Sequence, residues 1–167
     1  IKGATVYDGT GVDGVVTDVG IKGDSIAAMG DLSDARSLVK VDGRNLALAP
    51  GFIDAHSHHD RDLTEVNGAA AVVSQGITTI VVGQDGGSEV PLGPYFKQLT
   101  DQPVAINLAS YAGHNSIRYR VLGDNYKRKA TPAEIDSMKS ILRHDMEAGA
   151  LGLSTGLEYD PGIYSSK

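Results

Sequence analysis

The sequence predicts an α/β fold in which short parallel strands alternate with helices. From residue 48 onward, four apolar segments of strand character are separated by sequence of helical character. Strands that follow one another in this way, each after a helix, imply right-handed parallel crossovers. The residue pattern fits either half of an eight-stranded barrel or a doubly wound sheet.

Residues 1–47 predict a small antiparallel β unit. Short strands at 4–7, 18–22 and 25–29 are separated by segments 8–11 and 23–24, whose Gly and Asp residues suit tight turns. Strands this few and short are marginal by themselves. We therefore expect this unit to pack against residues 48–167, with the apolar segment 46–50 as the linker.

The second part, residues 48–167, predicts alternating strands and helices. The predicted strands are 52–55, 77–82, 104–110 and 150–154. The predicted helices are 67–74 and 132–148, and segment 91–100 is predicted to be a helix or a lid segment. Strand 77–82 is β-branched and apolar on both faces, which is typical of a strand buried between two helical layers. The last helix begins with a capping box, since Thr131 can cap it, Pro132 suits its first turn and Glu134 follows.

Composition excludes several classes of protein. The net charge of -6 and the lack of a Lys/Arg cluster argue against nucleic acid, whose binding depends on phosphate neutralisation. No apolar run approaches the roughly 18 residues of a membrane span. The chain has no cysteine, so His, Asp and Glu are the strong metal ligands left, and both cytoplasm and periplasm are compatible compartments. We expect a small-molecule substrate.

His56 and His58 form the clearest candidate site. Residues two apart in an extended chain share a face, so both imidazoles point the same way at the end of the strand. Two imidazoles on one face can hold a metal ion. His-x-His alone is a weak signal, but the preceding segment 50–54 and the following Asp60 favour metal. Asp60 is a candidate ligand or the acceptor of a ligand histidine's second N–H.

Several segments resemble a known family. Residues 50–60 and 76–79 are similar to the amidohydrolase superfamily, and segments 113–118 and 149–157 are similar to its N-acyl-D-amino-acid deacylases, the D-aminoacylases. The resemblance implies the first half of a (β/α)8 TIM-like barrel over 48–167 and a small N-terminal β-sandwich portion over 1–47. It also implies one or two zinc ions at the carboxyl ends of the strands.

The resemblance implies that part of the active site lies outside residues 1–167. His56 and His58 match the family's metal-binding His-x-His, whereas the general-base aspartate after the eighth strand and two further histidines are expected beyond residue 167. We therefore expect the remainder of the barrel to come from the same or another chain.

A third metal ligand is expected at one of two carboxylates. Many amidohydrolases carry a bridging carboxylate at the end of the fourth strand, where Glu158 stands, and we favour Glu158 for this role. Asp85 is the second candidate, because it occupies the position at which D-aminoacylases typically have a zinc-binding cysteine. The alternative for Asp85 is a simple turn, for which Asp-Gly-Gly is ordinary chemistry.

Other polar residues have a candidate role beside a structural one. His114 lies after the third strand and is a candidate substrate contact, or a loop histidine bonded to backbone. Arg118 is either a bidentate partner of a substrate carboxylate or a solvated helix residue. Asp145 is predicted to lie on the solvated face of the last helix.

Taken together, these features predict zinc-dependent hydrolysis of the linear amide bond of N-acyl-D-amino acids or related D-configured dipeptides. Two alternatives stay open. One is a non-catalytic fragment or half-barrel that needs a partner chain. The other is a related amidohydrolase that acts on a cyclic amide or an isoaspartyl dipeptide.

Overall fold

The computed structural model describes residues 1–61, 63–65 and 68–166. Chain contacts divide it into two units, Ile1–Pro50 and Gly51–Lys167.

The first unit holds one four-stranded sheet. Its strands are β1 (Ala4–Val6), β2 (Val15–Lys22), β3 (Ser25–Gly30) and β4 (Ala47–Leu48). They lie in the order β3-β2-β1-β4. The pairings of β1 with β2 and of β2 with β3 are antiparallel. Gly23, with φ 63, makes the tight turn between β2 and β3, a conformation that glycine adopts without steric cost.

Strand β4 corrects two predictions. The sequence predicts that residues 46–50 form a linker, but Ala47 and Leu48 pair in parallel with Thr5 and Val6 of β1. The sheet is therefore mixed rather than antiparallel. The division of the chain into domains 1–47 and 48–167 stays a prediction. Turn residues such as Gly and Asp indicate pairing between strands that follow one another in the chain. They give no sign that β4 pairs with β1, which lies far from it in the sequence.

The second unit is a mixed α/β arrangement in which strands and helices alternate. Its strands are β5 (Phe52–Asp54), β6 (Ile77–Val82), β7 (Asn107–Ser110), β8 (Ala112–Gly113) and β9 (Leu153–Ser154). Its helices are α1 (Ala70–Val73), α2 (Leu92–Asp101), α3 (His114–Leu122) and α4 (Pro132–Glu147). One parallel sheet has the order β5-β6-β7, and β8 pairs in parallel with β9. The parallel pairing predicted from strand and helix alternation is thus confirmed.

The bounds of several elements differ from the prediction. Helix α1 begins at Ala70 because Ala69 has a left-handed φ of 43, which a helix cannot continue through. Asn67, where the sequence predicts that this helix begins, lies outside the described residues. The third predicted strand begins only at Asn107, although Ile106 is buried in the core. The sequence predicts no bounds for helix α3, although one interpretation of Arg118 places that residue in a helix.

Two clusters of buried side chains hold the second unit together. One surrounds β6 and consists of Leu63, Val72, Ile80, Val82 and Ile106. The other lies among the helices and consists of Leu92, Ala112, Ile117 and Ala150. Ile80 and Val82, which share one face of β6, are 0% and 1% exposed. Thr78 is exposed and Val81 is half-buried, so the predicted burial of both faces is not seen among the described residues.

Helix α4 begins as its sequence predicts. The Glu134 N–H donates to Thr131 Oγ1 at 3.3 Å, and the Thr131 N–H donates to Glu134 Oε2 at 2.8 Å, which completes the capping box. The hydrogen bond from Arg128 lowers the pKa of Glu134 to about 2. Within the described ranges, neither α4 nor any other helix has the length and apolar character needed to cross a membrane.

Asp145 is fully buried on α4, so the prediction that it lies on a solvated face is wrong. Its Oδ1 accepts a hydrogen bond of 2.8 Å from the N–H of Leu92, the first residue of α2. Its Oδ2 has no hydrogen-bond partner among the described residues. Burial raises the pKa of Asp145, and the Leu92 hydrogen bond opposes that shift. Asp145 thus ties the start of α2 to α4.

The stability of the protein should depend on pH through Asp145. Its pKa is raised in the folded state, so the folded chain retains a proton that the unfolded chain has released. Stability contributed by that proton is complete below the ordinary pKa of an aspartate, and is lost as pH rises through the raised pKa. Asp145→Asn keeps an acceptor for Leu92 but cannot ionise. We therefore expect the free energy of unfolding of the Asp145→Asn variant not to fall as pH rises through this range.

Denaturant unfolding at a series of pH values measures the effect. Asp136→Asn is the matched control, because Asp136 is an exposed carboxylate on the same helix. This control should keep the pH profile of the wild type. Profiles that run parallel for the wild type and Asp145→Asn would contradict the assignment.

Candidate metal centre

His56 and His58 lie in the turn that follows β5. The strand itself ends at Asp54, so the two histidines are placed by the turn rather than by strand alternation. Their side chains nevertheless meet, with ring centroids 5.4 Å apart. The main-chain N–H of Ser57, between them, donates to the carbonyl of Val81 in β6 at 2.9 Å, which fixes the turn against the neighbouring strand.

Asp85 faces both histidines. Its Oδ2 lies 3.2 Å from His56 Nε2 and 3.3 Å from His58 Nε2. Asp85 belongs to a short 3-10 turn, Gln84–Gly86, directly after β6, and has a left-handed φ of 57. Since β5 and β6 are parallel neighbours, the segments after them lie at the same edge of the sheet, and this adjacency brings the carboxylate to the histidines.

The turn that carries Asp85 is held from several sides. Gln84 Nε2 donates to the carbonyl of Ala55 at 2.9 Å, which connects it to the histidine turn. The Gly86 N–H donates to Ser154 Oγ at 3.2 Å, and Ser154 Oγ donates to the carbonyl of Gly83. A Cβ at Gly156 would lie 2.1 Å from the carbonyl oxygen of Asp85, so glycine is required for this approach. These contacts position Asp85 without using its carboxylate.

The donor set formed by these three residues suits a divalent metal. One nitrogen from each of His56 and His58 and one carboxylate oxygen of Asp85 all lie within 4.8 Å of one another. The three side chains are exposed by 59%, 62% and 45%, so they are accessible to an ion from solvent. Two imidazoles and a carboxylate are ligands that zinc accepts in catalytic sites.

Glu158, the carboxylate that the sequence favours, is not part of this group. It is exposed in the turn after β9. Among the described residues, the cluster able to share an ion contains Asp85 and omits Glu158. The geometry therefore reverses the order of preference between the two carboxylates, and a ligand role for Glu158 stays a prediction.

Asp60 also lies outside the cluster, although it belongs to the same turn as the histidines. It is half-buried, and its charge adds to the effect of burial that raises the pKa of Tyr95 to about 12. Its carboxyl is thus close enough to Tyr95 to act on it electrostatically. The proposed contact between Asp60 and a ligand histidine stays a prediction.

His114 opens helix α3, and both of its ring nitrogens have protein partners. Nδ1 lies 3.0 Å from Thr155 Oγ1, and Nε2 lies 3.3 Å from Ser165 Oγ. Burial lowers the pKa of His114, with a smaller contribution from the charge of Arg118. These contacts link α3 to the segment after β9 and favour a structural role. The predicted substrate contact stays untested.

Arg118 is 3% exposed, so its interpretation as a solvated helix residue is wrong, whereas its interpretation as a partner of a substrate carboxylate stays a prediction. Its guanidinium donates to the carbonyls of Tyr126, Arg128 and Tyr164 at 3.0, 2.5 and 3.1 Å. It therefore ties the segments on either side of α4 to α3.

A cavity of about 600 Å³ lies beside the histidine and aspartate cluster. Its lining includes His58 and Asp85 on the cluster side, together with Arg61 and Arg120. No motif in the sequence points to either arginine, because each is a single cation outside any recognised pattern.

No protein-family profile matches the chain, but several relatives match nearly all of it. It is 37% identical to a D-aminoacylase of Alcaligenes xylosoxydans xylosoxydans, over 96% of this chain and 38% of that protein. It is 38% identical to an N-acyl-D-aspartate deacylase of the same organism, over 96% of this chain and 37% of that protein. The chain thus spans less than two fifths of the length of these relatives.

Solved structures show the same similarity in three dimensions. A D-aminoacylase described for its binuclear metal centre superposes with a TM-score of 0.91 at 34% identity, covering 99% of this chain and 40% of that one. An N-acyl-D-glutamate deacylase from Bordetella bronchiseptica, complexed with zinc and a phosphonate inhibitor, superposes with a TM-score of 0.83 at 32% identity. The match covers 99% of this chain and 39% of that one. The backbone arrangement therefore matches these enzymes along the whole chain.

Proposed function

Since the chain belongs to the D-aminoacylase family, we propose that the protein is a zinc-dependent hydrolase of the amide bond of N-acyl-D-amino acids. The observation that carries this proposal is the meeting of His56, His58 and Asp85 at the ends of adjacent parallel strands. Binding sites of parallel α/β folds lie at that edge, where the connecting loops converge.

The proposed fold of the whole is a (β/α)8 barrel of which this chain supplies the first half, with residues 1–47 as part of a small β-sandwich. The parallel order β5-β6-β7 and the later parallel strand β9 support this proposal. The side chains of Phe52, Ile53 and Leu153 are exposed by 62%, 66% and 52%, as expected if further strands cover them. The rest of the barrel would come from the same or another chain.

The metal ligands we propose are His56, His58 and Asp85. When bound, zinc lowers the pKa of a coordinated water and polarises the scissile carbonyl. The imidazoles hold the ion through nitrogen, and Asp85 adds a negative oxygen donor where the resemblance implies a cysteine thiolate. Glu158 is a further proposed ligand, as a bridging carboxylate if two ions bind. The general-base aspartate is proposed to lie beyond residue 167.

The overall sequence identities do not indicate whether the substrates of this protein carry a neutral or an acidic side chain. The D-aminoacylase and the N-acyl-D-aspartate deacylase are 37% and 38% identical to this chain. The side chain accepted by the protein must therefore be decided by residues of the site.

Zinc analysis and a substrate screen test the proposed function. We expect roughly one to two zinc ions per intact protein, the number typical of catalytic zinc sites of this kind. We expect hydrolysis of an N-acetyl-D-amino acid, loss of that activity after chelation, and recovery on adding zinc. The N-acetyl-L-amino acid, a cyclic amide and an isoaspartyl dipeptide are the comparison substrates.

Several outcomes would contradict the proposal. Activity unchanged by chelation, in a protein that contains no metal, would rule out the zinc mechanism. Faster hydrolysis of the cyclic amide or the isoaspartyl dipeptide would assign the protein to a different amidohydrolase reaction. Failure to hydrolyse any of these substrates, in a zinc-free protein, would favour a non-catalytic barrel fragment.

A further inference from the structure

The cavity beside the proposed metal ligands has the size of a small-molecule site. Its volume of about 600 Å³ lies within the usual range for ligand pockets. His58 and Asp85 form part of its wall, so a substrate whose amide reaches the proposed metal would extend other groups into this space.

Two arginines from different parts of the chain line this cavity. Arg61 lies in the turn three residues after His58, and Arg120 lies in the last turn of α3. Across residues 1–61, 63–65 and 68–166, no ion pair joins either guanidinium to a carboxylate. The same wall therefore presents two cations that the described structure does not neutralise by direct pairing.

The acidic residues of the cavity wall, Asp85 and Asp160, have other partners. Asp85 lies against the two histidines. Asp160 Oδ2 accepts a hydrogen bond of 2.9 Å from the hydroxyl of Tyr126. A hydrogen bond from a hydroxyl does not cancel the charge of a carboxylate, so Asp160 still counts as an anion of the wall. With Asp85 serving the proposed metal, Arg61 and Arg120 outnumber Asp160 and leave the rest of the cavity wall with a net positive charge.

The substrate chemistry that matches two guanidiniums is a dicarboxylate. Every N-acyl-amino acid carries one α-carboxylate, and an acidic side chain adds a second. Guanidinium binds carboxylate through two parallel hydrogen bonds, which gives both charge and orientation. A neutral side chain would leave one of the two cations without a partner in the complex, which selects against it.

We propose that Arg61 and Arg120 make the protein selective for N-acyl derivatives of D-amino acids with a carboxylate side chain. This inference rests on the proposed function, because it names the substrate class of the same site. Arg61 and Arg120 are specificity residues here, since both line the cavity that receives the substrate.

The test compares N-acetyl-D-glutamate with N-acetyl-D-glutamine, which have nearly the same shape and differ in side-chain charge. We expect the zinc-loaded intact protein to have the higher kcat/KM for the glutamate compound. Arg61→Ala and Arg120→Ala should each lower the ratio of the two kcat/KM values by roughly two- to fivefold, the range for a charge pair partly screened by water.

Two further variants control this test. Arg143→Ala removes an exposed arginine of α4 that does not line the cavity, and it should leave the ratio unchanged. Arg120→Lys keeps the charge but loses the two parallel hydrogen bonds, so it should keep more of the preference than Arg120→Ala but less than the wild type. The preference of the wild type should also fall as salt is raised, because exposed charges are screened.

Equilibrium binding of both compounds by calorimetry separates this inference from the proposed function. Equal or better use of N-acetyl-D-glutamine, or a ratio that both alanine variants leave unchanged, would overturn the inference while hydrolysis itself stands. Arginine-dependent binding of N-acetyl-D-glutamate without hydrolysis would support the anion site and contradict the proposed reaction. Absence of a binding preference would overturn the inference whether or not hydrolysis occurs.

Discussion

Replacement of both His56 and His58 by alanine is expected to remove zinc from the protein and to abolish hydrolysis. These two residues supply two of the three ligand atoms that lie within 4.8 Å of one another, and Asp85 alone would be left to hold the ion. Loss of an outer contact to a metal ligand already costs about 10- to 100-fold, and loss of two direct ligands should exceed that range. Zinc content by elemental analysis and kcat/KM on an N-acetyl-D-amino acid are the measurements.

His144→Ala is the matched control for the double histidine variant. His144 is an exposed histidine of α4 outside the proposed metal cluster, so its loss should change neither zinc content nor turnover. A double variant that retained the zinc content and the activity of the wild type would show that the two histidines are not the metal ligands. A comparison of melting temperatures guards against an unfolded variant.

Asp85→Ala is expected to weaken zinc binding more than Glu158→Ala does. The Asp85 carboxylate lies 3.2 and 3.3 Å from the two histidine nitrogens, whereas Glu158 lies outside that cluster. We expect the affinity for zinc to fall by more than the roughly 10- to 100-fold that an outer contact is worth. Competition with a chelator of known affinity measures this change.

A third variant, Asp85→Cys, separates loss of a ligand from damage to the turn. A thiolate is also a zinc ligand, so this variant should keep much more zinc affinity than Asp85→Ala. The hydrogen bonds of Gln84 and Gly86 hold the turn without the Asp85 carboxylate and should survive in both variants. If Glu158→Ala instead caused the larger loss, the order of preference predicted from the sequence would be restored.

The candidate site could be predicted only in part from the sequence. The two-residue spacing of His56 and His58 and their position after an apolar strand are local features, and they indicated that the two imidazoles lie together. The turn after β5, rather than strand alternation, places them there. The choice between Asp85 and Glu158 depends on which loop lies beside β5. That choice is decided by the pairing of β5 with β6, a contact between segments far apart in the chain.

Buried polar residues were the least predictable part of the chain. Asp145 stands in an amphipathic helix among exposed residues, and a carboxylate in such a pattern is usually solvated. It is buried because the N–H at the start of α2 needs an acceptor at that point. The burial of Arg118 is likewise explained by the three backbone carbonyls that accept its hydrogen bonds in the folded protein. Neither partner set leaves a local sequence signal.

The sequence by itself determined the alternation of parallel strands and helices, the capped start of α4 and the pair of histidines after β5. These features follow from periodicity, capping chemistry and spacing, all of which act between residues close along the chain. Only the tertiary structure decided that β4 joins the first sheet, that Asp85 faces the histidines, and that Arg61 and Arg120 line one cavity. These depend on contacts between distant segments, which are fixed by packing of the whole chain rather than by any local pattern.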